Sequence, residues 1–279
     1  MITDAQVHLW EASRPDRPWD PDAKPHLPDP VPAERMVAWM DEAGIDRAVI
    51  SPLYLPGNGP EYACEVAARY PDRFRVMGWY QPADPSHLAN LERWLDQPGM
   101  CSLRLSLNEP VGSRLLAEGT LEPFWSTVER LKLPVAVFRV DGIAEVMEPI
   151  LDRYPTLRLI VDHLNMPVTP DVREARMSSL VRLARFPEVT VKVSALPRFS
   201  TEPPPFVDLQ PMIQQVYQAF GARRMLWGSD QTQLVARGVC SYRQNLDVVL
   251  TEAARWMPAE DVAWVTGKTA ASVFNWPER

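Results

Sequence analysis

The run LPVAVFRVDGIAEVMEPILDRYPTLRLIVDHLNMP, Leu133 to Pro167, holds the fold in miniature. LPVAVF is a short valine-rich run with no polar alternation, as a strand buried on both faces requires. IAEVMEPILDRYP spaces its apolar residues three and four apart and stops at a proline, the pattern of an amphipathic helix. LRLIVDHL then returns to the composition of a strand. A strand, a helix and a second strand in this order make two parallel strands joined by a right-handed crossover.

Outward from this unit the alternation continues in both directions. ITDAQVHL, DRAVISPL, FRVMGWY and CSLRLSL precede it and VTVKVSA and RMLWGSD follow, which with the two central runs gives eight strand candidates. Between them AERMVAWMDEAG, EYACEVAARYP and SHLANLERWLDQPG show helical spacing and end at Gly or before Pro. Eight repeats close a (β/α)8 TIM barrel. A doubly wound open sheet would carry a glycine-rich turn after its first strand, and HLWEAS has none. The 279 residues are read as one barrel domain, 1–279. Of 29 prolines, one cluster lies in RPDRPWDPDAKPHLPDPVP after the first strand. This Pro-rich insertion is expected to wrap over the body as an ordered loop.

Composition narrows the partners. A formal charge of −7, without runs of like charge, gives little attraction for nucleic acid or an anionic membrane. No stretch is long and apolar enough to cross a bilayer, and polar residues interrupt the first ten positions. Cys64, Cys101 and Cys240 are odd in number and unpaired in spacing, which fits thiols in a reducing compartment. The expectation is a soluble cytoplasmic protein acting on a small molecule, with a homo-oligomer left open.

A barrel places its chemistry at the C-terminal ends of its strands. Gln6 and His8 end strand one and share a face by alternation. His163 ends strand six, and Asp230 ends strand eight, which closure sets beside strand one. Arg104 on strand four, and Lys192 with Ser194 on strand seven, add a charge and a hydroxyl if their phase is inward. With His163 facing the axis, Asp162 is expected to face away. His26 and His87 lie in polar segments and are expected to be exposed. Asp230 could instead cap the following helix, Arg104 could serve an interior salt bridge, and Lys192 a buried ion pair.

The ordered set DAQVHLW, YACEVAARYPDRFRVMG, DHLNMP, VKVSAL and RMLWGSD resembles the amidohydrolase-related branch of the amidohydrolase superfamily, nearest to the pyrone-dicarboxylate lactonase-like members. The resemblance runs along the whole chain and implies a hydrolase on a metal-type TIM barrel. In the metal-using members strand one ends His-x-His. Gln6 stands at the first of these positions and His8 at the second, His163 matches the lactonase histidine, and Asp230 matches the strand-eight aspartate. Phe138 stands where decarboxylase-like members carry another histidine, and Met166 where pyrone-dicarboxylate lactonase has a substrate-binding arginine. If a divalent zinc is present, its ligands are His8, His163 and Asp230.

A glutamine amide is a poor zinc ligand, and zinc wants about three protein ligands plus an open position. The reading is therefore a site without a metal cofactor. Asp230 acts as general base on water, His163 and His8 with Gln6 hydrogen-bond the substrate carbonyl, and Arg104, Lys192, Ser194 and Trp10 complete the substrate-binding set. A lactone or similarly activated ester of a small, carboxylate-bearing acid suits this apparatus. Arg139, Arg198 and Arg243 are weaker anchors for a carboxylate, and Trp19, Tyr54 and Trp79 are candidate walls. A metal-dependent decarboxylase or hydrolase of the same superfamily, and a barrel that binds a small ligand without catalysis, remain the alternatives.

Overall fold

A computed structural model describes residues 1–19, 24–53, 60–107, 111–138, 140–166 and 172–276. Its eight strands are β1 (Thr3–Val7), β2 (Arg47–Ile50), β3 (Phe74–Tyr80), β4 (Met100–Ser106), β5 (Val135–Phe138), β6 (Leu159–Val161), β7 (Val189–Ser194) and β8 (Met225–Gly228). They form one sheet in sequence order. Each strand pairs in parallel with the next, from β1 with β2 through β7 with β8. All eight coincide with the strand runs read from the sequence, and the architecture is a (β/α)8 barrel.

The helices between them are α1 (Ala33–Ala43), α2 (Glu61–Arg69), α3 (Pro85–Ala89), α4 (Val111–Ala117), α5 (Glu122–Arg130), α6 (Ile143–Arg153), α7 (Arg173–Arg182) and α8 (Gln210–Phe220). After β8 come α9 (Gln231–Ala236), α10 (Tyr242–Asp247), α11 (Ala259–Ala263) and α12 (Thr269–Val273). α1 shows how the spacing works: Ala33, Met36, Met40 and Ala43 form its buried stripe, and Gly44, at φ 79°, ends it in the left-handed conformation that favours glycine.

Inside the barrel, Ala5, Val49, Met77, Cys101, Ala136, Ile160 and Leu226 pack against Ala270, Phe274 and Trp276 from the C-terminal segment. That plug seals the N-terminal end of the barrel. The mouth lies at the opposite end, where the strands finish.

β1 carries one residue too many for its neighbour. Asp4 pairs with Ala48 and Val7 with Ile50, so three steps on β1 match two on β2. This bulge lets Ala5 and Gln6 both turn inward while Asp4 turns out. Among the described residues the seam between β8 and β1 is held by a backbone hydrogen bond and by side chains rather than by a ladder. Asp230 N donates to Gln6 O at 3.0 Å. Asp4 Oδ1 accepts from Ser229 N at 2.8 Å and from Gln6 N at 2.9 Å, and Asp4 Oδ2 accepts from Tyr242 of α10 at 2.5 Å. Burial pushes the Asp4 carboxyl up to about 6 despite these donors.

The insertion after β1 is anchored at both ends, Trp10 N donating to Val31 O at 3.0 Å. No described helix is long and apolar enough to cross a membrane.

Candidate active site

Three layers of side chains fill the mouth. Deepest lies a buried charge cluster. Asp162 receives Arg104 Nε at 2.7 Å on one oxygen and Lys192 Nζ at 2.9 Å on the other. Lys192 is fully buried. Burial pulls its ammonium below the usual lysine range even against the charge of Asp162. The same burial would raise the Asp162 carboxyl, but Lys192 and Arg104 outweigh it and hold that group low. Arg104 also stacks over Trp79, 4.8 Å from the ring centroid.

Asp162 thus faces the axis, against the sequence expectation. It keeps the inward phase of Ile160 two residues earlier. His163 reaches inward for another reason: its backbone turns left-handed at φ 51°, with Leu164 and Asn165 following at 52° and 53°. Strand alternation ends at Val161, so alternation could not assign the two neighbours to opposite sides.

The middle layer orients two polar groups. Lys192 Nζ donates to Gln6 Oε1 at 3.0 Å, which fixes the amide with its nitrogen toward His163 Nε2 at 3.1 Å. Arg104 lies 3.5 Å from the same ring nitrogen. Both neighbours are donors, so His163 Nε2 carries a lone pair. The proton sits on Nδ1 and is given to Ser194 Oγ at 2.9 Å. Burial lowers the His163 imidazole to about 4, consistent with a neutral ring.

The upper layer joins strands one and eight. His8 Nδ1 meets the carbonyl of Ser51 at 2.6 Å, and His8 Nε2 lies 3.0 Å from Asp230 Oδ1. That second contact pairs the imidazole with the buried Asp230 carboxylate. Asp230 heads α9 at φ 54° without capping it. Burial would raise its carboxyl, but His8, His163 and His26 hold it well below the ordinary range. Arg198, in the turn after β7, approaches the other Asp230 oxygen at 3.6 Å.

Gln6, His8, His163 and Asp230 therefore meet at one mouth. Several other expectations change. Lys192 and Ser194 are buried and hold Gln6 and His163 in place, so they reach a substrate only through those residues. Arg104 is an interior ion-pair partner, because Asp162 points inward beside it. Trp10, 1% exposed, is packed beneath the insertion and offers no face to a ligand. Arg243 sits on the outer surface with Asp247 at 3.0 Å. Trp19 is part-buried against the core and Trp79 donates to Pro52 O at 2.6 Å. Tyr54 and Arg139 lie outside the described residues.

Neither remaining histidine is simply exposed. His87 is part-buried and accepts from Gln81 N at 2.9 Å. His26 comes from the insertion to stand edge-on to His8, ring centroids 4.9 Å apart. Its presence at the mouth had one sequence signal: a histidine inside a loop that leaves strand one and must return past its C-terminal end.

The amidohydrolase family profile matches residues 3–276. The chain belongs to this family. As an amidohydrolase it is a hydrolase, and its relatives include lactone hydrolases. L-Fucono-1,5-lactonase of Burkholderia ambifaria is 25% identical over 231 residues, 81% of this chain and 79% of that protein. The 4-sulfomuconolactone hydrolase of Hydrogenophaga intermedia is 23% identical over 214 residues, 75% of this chain and 68% of that protein. An amidohydrolase from Burkholderia multivorans crystallised with bound zinc superposes with a TM-score of 0.80 at 18% identity, over 99% of this chain and 100% of that one. At that identity the likeness establishes the fold alone.

The metal that the family implies is a poor fit to the family positions of this chain. The Gln6 amide oxygen is taken by an ammonium, and His163 Nε2 faces two donors. Only His8 and Asp230 keep atoms turned toward one another, two ligands where about three are needed.

Proposed function

We propose that this amidohydrolase opens a lactone, or a similarly activated ester, of a small organic acid, using water activated by Asp230 and no metal. The observation that carries the reading is the Asp230 carboxylate, ionised and buried at the mouth, with His8 Nε2 at 3.0 Å from Oδ1. Lactone hydrolysis by the two relatives supports the substrate class.

Water attacks the carbonyl carbon while Asp230 Oδ1 takes its proton. Charge that gathers on the carbonyl oxygen meets the Gln6 amide, whose nitrogen lies beside His163 Nε2 at 3.1 Å, while Arg104 stays paired with Asp162. Collapse of the tetrahedral adduct breaks the ring C–O bond, and Asp230 returns the proton to the leaving alkoxide, which yields a hydroxy acid. His8, pinned between Ser51 O and Asp230, fixes the base. His163 acts as a positioning residue, since its inward nitrogen presents a lone pair. A carboxylate on the substrate meets Arg198, whose guanidinium stands at the rim, rather than Arg104.

The test is Asp230→Asn, which keeps the shape and removes the proton acceptor. On a panel of lactones its turnover falls at least about a hundredfold while the fold survives, and the activity of the unaltered chain survives a strong chelator. Near-normal turnover of the variant removes Asp230 as the base. Absence of any turnover by the unaltered chain on lactones favours a binding barrel.

A further inference from the structure

His8 and Asp230 face each other across the joint between β1 and β8, where the described residues form no ladder. The backbone hydrogen bond of that joint runs from Asp230 N to Gln6 O at 3.0 Å. His8 lies two residues beyond Gln6, and among the described residues no backbone hydrogen bond ties it to the chain that follows β8. Every other neighbouring pair of strands is locked by a ladder. The 3.0 Å between His8 Nε2 and Asp230 Oδ1 is therefore set by side chains.

His26, carried in by the insertion, bridges the same gap. On one side its ring packs T-shaped against His8, centroids 4.9 Å apart and planes at 85°, and lies 6.1 Å from the ring of buried Trp10. On the other side both of its nitrogens are held by α9, the helix that Asp230 heads. Nδ1 lies 2.8 Å from Thr232 Oγ1, and Nε2 lies 2.6 Å from the Gln233 amide nitrogen. That amide is oriented from behind, because Arg237 donates to Gln233 Oε1 at 3.4 Å through both Nε and Nη2. A nitrogen that only donates thus meets His26 Nε2, so the ring proton is on Nδ1 and is given to Thr232. With both nitrogens engaged the ring cannot turn, and its contact with His8 is as fixed as α9 itself.

We propose that His26 is a positioning residue of the hydrolase, clasping the end of β1 to the start of α9 and so holding His8 against Asp230. The Ser51 carbonyl fixes His8 at Nδ1 and leaves the ring free to pivot about that one bond. His26, packed on the ring and anchored to α9, removes the pivot and ties it to the segment that carries Asp230. Without the clasp, His8 and Asp230 drift apart across a joint that has no ladder to return them. A shift of about 1 Å in a reacting group costs up to about a hundredfold in rate, even when the altered residue is remote from the chemistry. His26 acts on the base and not on the substrate, so the loss falls on kcat rather than on KM. The effect on turnover rests on the reading of Asp230 as base. The clasp itself does not.

The experiment compares the full chain with His26→Ala, Thr232→Val and the double variant, assayed on lactones at a temperature where circular dichroism shows each one folded. His26→Ala lowers kcat about ten- to a hundredfold and changes KM by less than about twofold. Thr232→Val keeps the ring, removes one anchor, and lowers kcat in the same direction by less. The double variant is no slower than His26→Ala alone, since residues that act through one contact are not additive. The chain has four histidines, and nitrogen–proton NMR of the rings separates them without any substrate. The His8 signals shift in both single variants, while those of His87, held by Gln81 N, do not. A raised KM at unchanged kcat makes His26 a substrate contact, additive losses make Thr232 independent of it, and unmoved His8 signals leave no path to the base; each of these overturns the clasp. His8 signals that move in a chain whose Asp230→Asn variant turns over normally keep the clasp and remove Asp230 as the base.

Discussion

Asp162→Asn removes the one anion shared by two buried cations. In the folded chain the carboxylate sits 2.7 Å from Arg104 and 2.9 Å from Lys192, and the side chains involved are at most 5% exposed. Deleting one partner of a buried pair costs about 3–5 kcal/mol, because the charge left behind has been taken out of water and given nothing in return. Here two charges are left, so the loss falls near the upper end, about 5 kcal/mol. At about 2–4 °C per kcal/mol for a chain of this class, the midpoint of thermal unfolding drops by more than about 10 °C. Lys192 offers a partial escape by shedding its proton, and the sign of that escape can be checked. With Asp162 gone, its folded pKa moves further below the unfolded value, so the unfolded chain binds the extra proton and stability rises with pH. The deficit of the variant therefore shrinks between pH 7 and pH 9.5. Urea unfolding followed by circular dichroism measures both effects. Glu145→Gln, which removes the exposed partner of Arg182, is the control and costs no more than about 1 kcal/mol. A loss of 1 kcal/mol or less for Asp162→Asn, equal to the surface control, would falsify the picture of a desolvated cluster.

Two further outcomes follow from the same buried groups. Acid stability is set by His163, lowered to about 4, and His26, lowered to about 3, both chiefly by burial, against Asp4, raised to about 6. Below the unfolded histidine pKa the unfolded chain takes two protons that the folded chain refuses, while from about pH 6 downward folded Asp4 takes one that the unfolded chain refuses. The balance is one proton, so stability falls by about 1.4 kcal/mol per pH unit from about pH 6 to pH 4; a flat profile in urea unfolding contradicts this. Tyr242→Phe withdraws the hydroxyl that Asp4 Oδ2 accepts at 2.5 Å and costs about 1.5–3 kcal/mol, and unchanged stability would show that Asp4 does not close the seam.

Most of the barrel was legible because each strand is a short β-branched run and each helix keeps its spacing, as LPVAVF and IAEVMEPILDRYP do. His8 and Asp230 were legible as partners because closure of a sheet numbered in sequence order leaves strand one nowhere but beside strand eight. The inward turn of Asp162 was hidden by the left-handed backbone at His163, which no residue type announces as glycine would. Arg104 was open between substrate anchor and interior salt bridge for a related reason: its inward phase was right, and the partner that decides for the salt bridge was invisible without Asp162. His26 could not be placed, since an irregular proline-rich loop has no period from which to read a direction. The supporting roles of Lys192 and Ser194 follow from their two-residue spacing on one face, but only the structure shows that Gln6 and His163 lie between them and the mouth.

The seam at Asp4 has a kinetic consequence. Ser229 N and Asp4 Oδ1 are 225 positions apart in the chain, so the contact that shuts the cylinder is among the most distant in sequence that the molecule makes. Joining ends so far apart carries a large loop-closure entropy, and contacts of that kind form late. The backbone link from Asp230 to Gln6 belongs to the same joint. A growing chain that has not yet delivered β8 holds seven strands and lacks Asp230. His8 can meet Asp230 only after β8, the last strand in sequence, has come to lie beside β1.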